Sequence, residues 1–207
     1  MRAIQKGVTE MRSEREYRNM ELRIAEPTEE QNYNVEGYAS TFEAYKMFED
    51  EGIDYYERIE PTAFEDADMS DTVFRVDHTG PVYARTSAGT VELWVDEHGL
   101  GTRADLSKTQ RAKDLYADIA AGNYPKMSFA FVVSEDHYDR ETHTRVIDRI
   151  AKVFDVSPVS FPANPTTELN VSTRDWFNGV IEAERAERLE RERREAQKQK
   201  IRILLEV

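Results

Sequence analysis

The sequence predicts a mainly β protein of the α+β class, one domain of ordinary size with extensions at both ends. Three observations predict it. Short runs that alternate apolar and polar residues, separated by Gly, Pro, Asn and Asp turn signals, recur from Tyr17 to Leu106 and again from Lys126 to Phe161. A single internal stretch, after Ser107, has helical periodicity with both start and stop signals. From Trp176 onward the alternation gives way to Glu, Arg, Lys, Gln and Ala. The organisation that follows is an arm over 1–16, a compact domain over 17–172 and a charged helical tail over 173–207. The 207-residue length suffices to bury a core without disulfide or metal.

In order, Met1, Ile4, Val8 and Met11 make at most one stripe of a short helix in the arm. Tyr17 to Ile24 and Asn32 to Thr41 read as two antiparallel strands, with Pro27 and polar residues between them. Residues 43 to 53 are acidic and read as a loop. Tyr55 to Ile59 is a short strand stopped by Pro61, which opens a short helix through Asp66 because proline fits a first helical turn. Thr72 to Val76 is a strand that runs into the turn cluster Asp77-His78-Thr79-Gly80-Pro81. Strands over Val82 to Arg85, Thr90 to Val95 and Leu100 to Leu106 follow. Ser107 and Gln110 have capping-box spacing, the helix after them places Ala112, Leu115, Tyr116 and Ile119 on one face, and Gly122 suits its C-terminal cap. Lys126 to Val133 is a strand, polar residues 134 to 145 intervene, and a second run extends from Val146 to Phe161. Glu182 to Lys200 is a solvated helix rich in i,i+4 charge pairs, with Leu189 nearly alone as an apolar residue and Ile201, Ile203, Leu204 and Leu205 at its end.

Composition narrows the chemistry. Zero cysteines remove disulfide frameworks, thiolate zinc sites and cysteine nucleophiles. A net charge of -13 argues against a surface that tracks nucleic-acid phosphates, so proteins are the expected partners. No apolar run approaches the ~18 residues of a membrane span, and the expectation is a soluble, unexported chain with no membrane partner.

One hydroxyl is out of place. In Lys126-Met127-Ser128-Phe129-Ala130-Phe131, Phe129 and Phe131 point to one face of the strand and Ser128 and Ala130 to the other. If this strand and the next form a hairpin pivoting on Arg140, Glu141 and Thr142, Ser128 lies opposite Asp155, a carboxylate set among Val153, Phe154 and Val156. A register slip of one residue would put the two on opposite faces. A serine and an aspartate lack a base. Of the four histidines, His98 sits in a turn and His137 and His143 flank the hairpin tip, all three expected at the surface. His78 alone follows an apolar strand directly, where a scaffold holds a residue that a substrate can still reach. Ser157 shares the expected face of Asp155, and Ser157 and Ser160 read as packing or hydrogen-bonding residues. A metal hydrolase using Asp77 and His78, or His137 and His143, is weaker, because adjacent strand residues diverge and the hairpin tip is exposed.

Four motifs occur together: Tyr-Glu-Arg-Ile-Glu-Pro-Thr-Ala-Phe at 56–64, the strand ending in His78, Met-Ser-Phe-Ala-Phe at 127–131, and Asp-Val-Ser-Pro-Val-Ser-Phe-Pro-Ala-Asn-Pro at 155–165. Their order and spacing resemble phage prohead proteases of the HK97 type over residues 17 to 172, and through them the herpesvirus assemblins. The resemblance implies a closed antiparallel β-barrel with peripheral helices. It implies Ser128 as nucleophile, His78 as general base and Asp155 as third triad member, with oxyanion donors near Ala163 and Asn164 and neither cofactor nor metal. It also implies a homodimer that cleaves scaffold or major capsid protein segments inside the immature capsid in the bacterial host cytoplasm, and its own tail. The chain departs from the family where Asp77 and Thr79 flank His78 in place of an Asn-His-Asp setting and where Ala130 replaces a frequent glycine. A non-catalytic capsid scaffold or assembly protein on the same fold is the alternative. No Gly-x-Ser-x-Gly surrounds Ser128, so an α/β-hydrolase elbow is not supported.

Overall fold

The computed structural model describes residues 15–21, 33–160 and 171–205. The chain divides into two compact units, Met1–Glu168 and Leu169–Val207. In the first, the described strands are β1 (Glu16–Glu21), β2 (Asn34–Thr41), β3 (Tyr45–Asp50), β4 (Ile53–Ile59), β5 (Val73–Arg75), β6 (Val82–Arg85), β7 (Val91–Val95), β8 (Gly99–Asp105), β9 (Lys126–Asp139) and β10 (Thr144–Val159). The helix α1 (Gln110–Ala120) lies between β8 and β9, and short 3-10 turns cover Pro61–Phe64 and Thr86–Ala88. The second unit holds α2 (Val171–Leu205). It starts earlier than its charged composition suggests, exposes Leu189 and Ile201, and carries an Arg194–Glu190 pair one turn apart.

The mainly β, α+β class is observed, but the closed barrel is not. Among the described residues the strands form two open sheets. The larger runs β1-β9-β10-β4-β3 with β5 and β6 attached along β10, and the smaller runs β2-β8-β7. Closure requires every edge strand to find a partner. Among the described residues β1 forms a ladder with β9 only and β2 with β8 only, so the two sequence-adjacent strands expected to pair belong to different sheets. Two pairings are also parallel, β4 and β5 each running alongside a different half of β10. Residues of both sheets and of α1, among them Val35, Leu100, Ile119, Phe129, Phe131 and Ile147, share one buried cluster.

Local differences from expectation have local causes. Tyr45–Asp50 is a strand despite its acidic sequence, because Glu51 and Gly52, at φ 52° and 81°, make a two-residue turn that pairs Asp50 with Ile53. The cap of α1 is Thr109, whose hydroxyl accepts from the Ala112 amide at 3.1 Å, while the Ser107 amide instead donates to Asp105. Its C-terminus matches expectation. Gly122, at φ 83°, donates to Ile119 and Asn123 donates to Asp118, the double bond of a Schellman motif.

Five strands are joined by a buried charge network. Arg145 on β10 is fully buried and donates to Glu16 on β1, Glu57 on β4 and Asp136 on β9. Arg18 on β1 donates to Glu16 and Glu57, and Tyr45 on β3 to Glu57. Burial alone would lower the Arg145 pKa, but the charges of Glu57 and Glu16 outweigh it and hold the guanidinium above its usual value.

Candidate active site

The site forms where β9, β10 and the turn after β5 meet. The β9–β10 hairpin pivots where expected, and near its tip Val146 faces His137. Bulges between Ile147 and Asp155 then advance β10 by two residues, so that Ser157, not Asp155, faces Ser128, and Asp155 faces Ala130. An even slip leaves side chains on their original face, where an odd one would have inverted them. Ser128 and Asp155 therefore remain on one face as diagonal neighbours.

His78 bridges that diagonal. Strand β5 runs parallel to β10, pairing Val73 with Asp155 and Phe74 with Val156, so its C-terminal end points the same way as the segment leading to Pro158. Asp77 and His78 then both adopt left-handed backbone angles, φ 47° and 55°. Such a conformation costs on the order of 1 kcal/mol or more for each non-glycine residue. It turns the imidazole back over the sheet. Nδ1 of His78 lies 2.6 Å from Asp155 Oδ1, and Nε2 lies 2.7 Å from Ser128 Oγ. An ionised carboxylate only accepts, which places the proton on Nδ1 and leaves Nε2 to accept from the serine hydroxyl. Ser128 and Asp155 are buried and His78 is half-buried.

The remaining candidates divide. Ser157 is buried and donates to Asp155 Oδ1 at 2.7 Å, the same oxygen that His78 engages. Asp77, the other candidate metal ligand beside His78, directs both carboxylate oxygens to Ser160, accepting from its amide at 2.8 Å and its hydroxyl at 2.7 Å. Tyr124, close to Asp118 and Asp77, has its phenol pushed up by burial first and by those carboxylates second. His98 and His137 are exposed, as expected. His143 is half-buried, with its ring against Tyr55 and its Nδ1 2.9 Å from the Tyr138 hydroxyl. His137 sits 2.7 Å from Asp148, so the pair at the hairpin tip does not converge on one point. Ala163 and Asn164 lie outside the described residues.

A serine hydroxyl hydrogen-bonded to an imidazole that is in turn bonded to a buried carboxylate is the order of groups that acyl transfer from a serine requires. Comparison with known protein families matches residues 18–179 to the caudovirus prohead serine proteases. The chain belongs to that family. It is a serine endopeptidase of phage capsid maturation, and a prohead protease acts within the procapsid. No curated protein and no solved structure matches the chain. The Ser128 and Asp155 motifs, read from the sequence, lie inside the matched span, as does His78. Sequence reasoning read Ser157 and Ser160 as packing or hydrogen-bonding residues without naming their partners; Ser157 bonds Asp155 two residues back on β10, and Ser160 meets Asp77, a contact that depends on β5 running beside β10. Among the described residues no helix of this prohead protease is long and apolar enough to cross a membrane.

Proposed function

We propose that Ser128 is the nucleophile of this prohead protease, His78 its general base and Asp155 the carboxylate that orients the base. The observation that carries this reading is the continuous hydrogen-bond path from Asp155 Oδ1 through His78 to Ser128 Oγ, at 2.6 and 2.7 Å. Nε2 takes the hydroxyl proton as Oγ attacks the scissile carbonyl, then returns it to the leaving amine. Asp155 fixes the tautomer and stabilises the imidazolium that forms. The oxyanion needs donors, and backbone amides near Ala163 and Asn164 are assigned to it. The acyl-enzyme is then released by water activated by the same base.

The substrates are scaffold or major capsid protein segments of the immature capsid, assembled in the bacterial host cytoplasm, and the chain's own tail. Residues 17–172 form the protease domain, which works as a homodimer, and the tail after about residue 173 directs its incorporation into the shell. Purified protein incubated with its coat-protein partner tests the reading. Truncation by the wild type that Ser128→Ala and His78→Ala abolish, and that Asp155→Asn slows by on the order of 10⁴-fold, supports it. Co-assembly with no cleavage by the wild type refutes it.

A further inference from the structure

The left-handed pair that aims His78 is held from outside the triad. Asp77 donates its amide to the Pro158 carbonyl at 3.1 Å and receives both the amide and the hydroxyl of Ser160 on its carboxylate. Beyond His78, the Thr79 amide donates to Val76 at 3.0 Å, and the Arg75 guanidinium donates to the Thr79 and Gly80 carbonyls at 3.2 and 2.5 Å. The run from Asp155 to Ser160 thus grips the histidine twice, once by its side chain through Asp155 and once by its backbone through Asp77. A non-glycine residue at φ 47° relaxes toward ordinary backbone angles unless its surroundings forbid it. Relaxation at Asp77 would swing the His78 Cα, and with it Nε2, away from Ser128.

We propose that Asp77 and Ser160 form a latch that positions His78, Asp77 being a positioning residue that acts through the backbone of its neighbour. The proposal rests on the triad reading above. An aspartate suits the latch for two reasons: it tolerates left-handed angles better than most residues, and its two oxygens reach both donors of Ser160. The same geometry accounts for Asp77 without any ligand of its own.

Three substitutions separate the tether from the strain. Asp77→Ala removes the carboxylate and leaves the unfavourable angle. Asp77→Gly removes the carboxylate but adopts the angle freely. Asp77→Asn keeps both features, since its oxygen accepts from the Ser160 amide and its NH2 donates to the Ser160 hydroxyl. The readout is the rate at which a small fluorophosphonate labels Ser128 in the full-length protein. Oγ bonds to phosphorus, fluoride leaves and the hydroxyl proton passes to His78. The site is located by peptide mass spectrometry, alongside Tm and the NMR resonance of the His78 Nδ1 proton.

A displaced base costs on the order of 10- to 100-fold in rate. Labelling of Asp77→Ala and Asp77→Gly is expected to slow by that factor, with loss of the Nδ1 resonance, while Asp77→Asn stays within about threefold of the wild type. Should Asp77→Ala fail to fold, Asp77→Gly and Ser160→Ala carry the test, the latter slowed less because the Ser160 amide remains. Labelling of Asp77→Gly at the wild-type rate overturns the latch, whether or not Asp77→Ala is slow, because the tether is then dispensable. A wild type that is not labelled at Ser128 overturns the triad reading itself.

Discussion

Replacing Arg145 by alanine should destabilise the protease more than any surface change could. Its guanidinium is fully buried, and its hydrogen bonds include those to Asp136 at 2.8 and 2.6 Å, to Glu16 at 2.7 and 2.9 Å, and to Glu57 at 2.9 Å. With Arg18 the network sets two guanidiniums against the carboxylates of Glu16, Glu57 and Asp136. Removing Arg145 takes one of these two cations away from carboxylates of which two, Glu16 and Glu57, are almost wholly buried. Breaking a buried ion pair by deleting one partner costs about 3–5 kcal/mol, chiefly because the remaining charge stays desolvated. At about 2–4 °C per kcal/mol for a chain of this size, Tm should fall by ~6–20 °C. Thermal unfolding followed by circular dichroism measures it. Combining Arg145→Met with Glu16→Gln should recover part of the loss, since one charge is then removed on each side and Arg18 keeps Glu57. A fall of less than about 2 °C for Arg145→Ala would refute the reasoning, for the network would then be solvated enough to tolerate the missing cation.

Two further predictions concern smaller groups. Ser157→Ala deletes a donor to the Asp155 carboxylate, a charge-assisted bond of about 1.5–3 kcal/mol; part of that appears in catalysis, so kcat on a coat-protein peptide should fall about tenfold with KM little changed, and Ser157→Thr should recover most of it. Unchanged kcat in Ser157→Ala would make Ser157 a packing residue only. At the far end of the smaller sheet, the Asp96 carboxyl is held down at about 2, first by the Tyr38 hydroxyl at 2.6 Å and then by the His98 amide. Because the folded value lies below the unfolded value of about 3.9, Asp96 contributes stability above that pH and loses it as the pH falls toward 2. Tyr38→Phe should raise the Asp96 titration midpoint seen by carboxyl-carbon NMR, and an unmoved midpoint would show that the hydroxyl is not the cause.

Much of this was legible in the residues because it depends on period and punctuation. Alternation located β4 to β8 and the apolar stretches of β9 and β10, though polar residues 134–139, read as a connection, continue β9 to Asp139; Arg140 to Thr142 located the hairpin tip. What escaped reading depends on partners distant in sequence. Strand β3 looked like an acidic loop because Lys46, Glu49 and Asp50 mask Met47 and Phe48, and only the Glu51-Gly52 turn hints at the hairpin. The ladder of β1 lies more than a hundred residues away on β9, a pairing for which sequence proximity to β2 is misleading. Barrel closure was carried over from the resemblance, and the two open sheets correct it. At the site, alternation put Ser128 and Asp155 on one face, yet bulges decided that Ser157 would stand opposite Ser128. Alternation alone does not foresee bulges, and only their even sum preserved the shared face. That His78 would reach both partners was implied by the resemblance and not by the strand pattern, since it depends on two consecutive left-handed residues and on the end of β10 that holds them.

In the proposed mechanism Ser128, activated by His78 and Asp155, does the cutting. Intact-mass spectrometry of the coat and protease chains from particles assembled with wild-type protein and with Ser128→Ala tests it most directly. Wild-type particles should contain shortened coat chains and a shortened protease, and Ser128→Ala particles should contain both chains at full length. The same fragments in Ser128→Ala particles would contradict it.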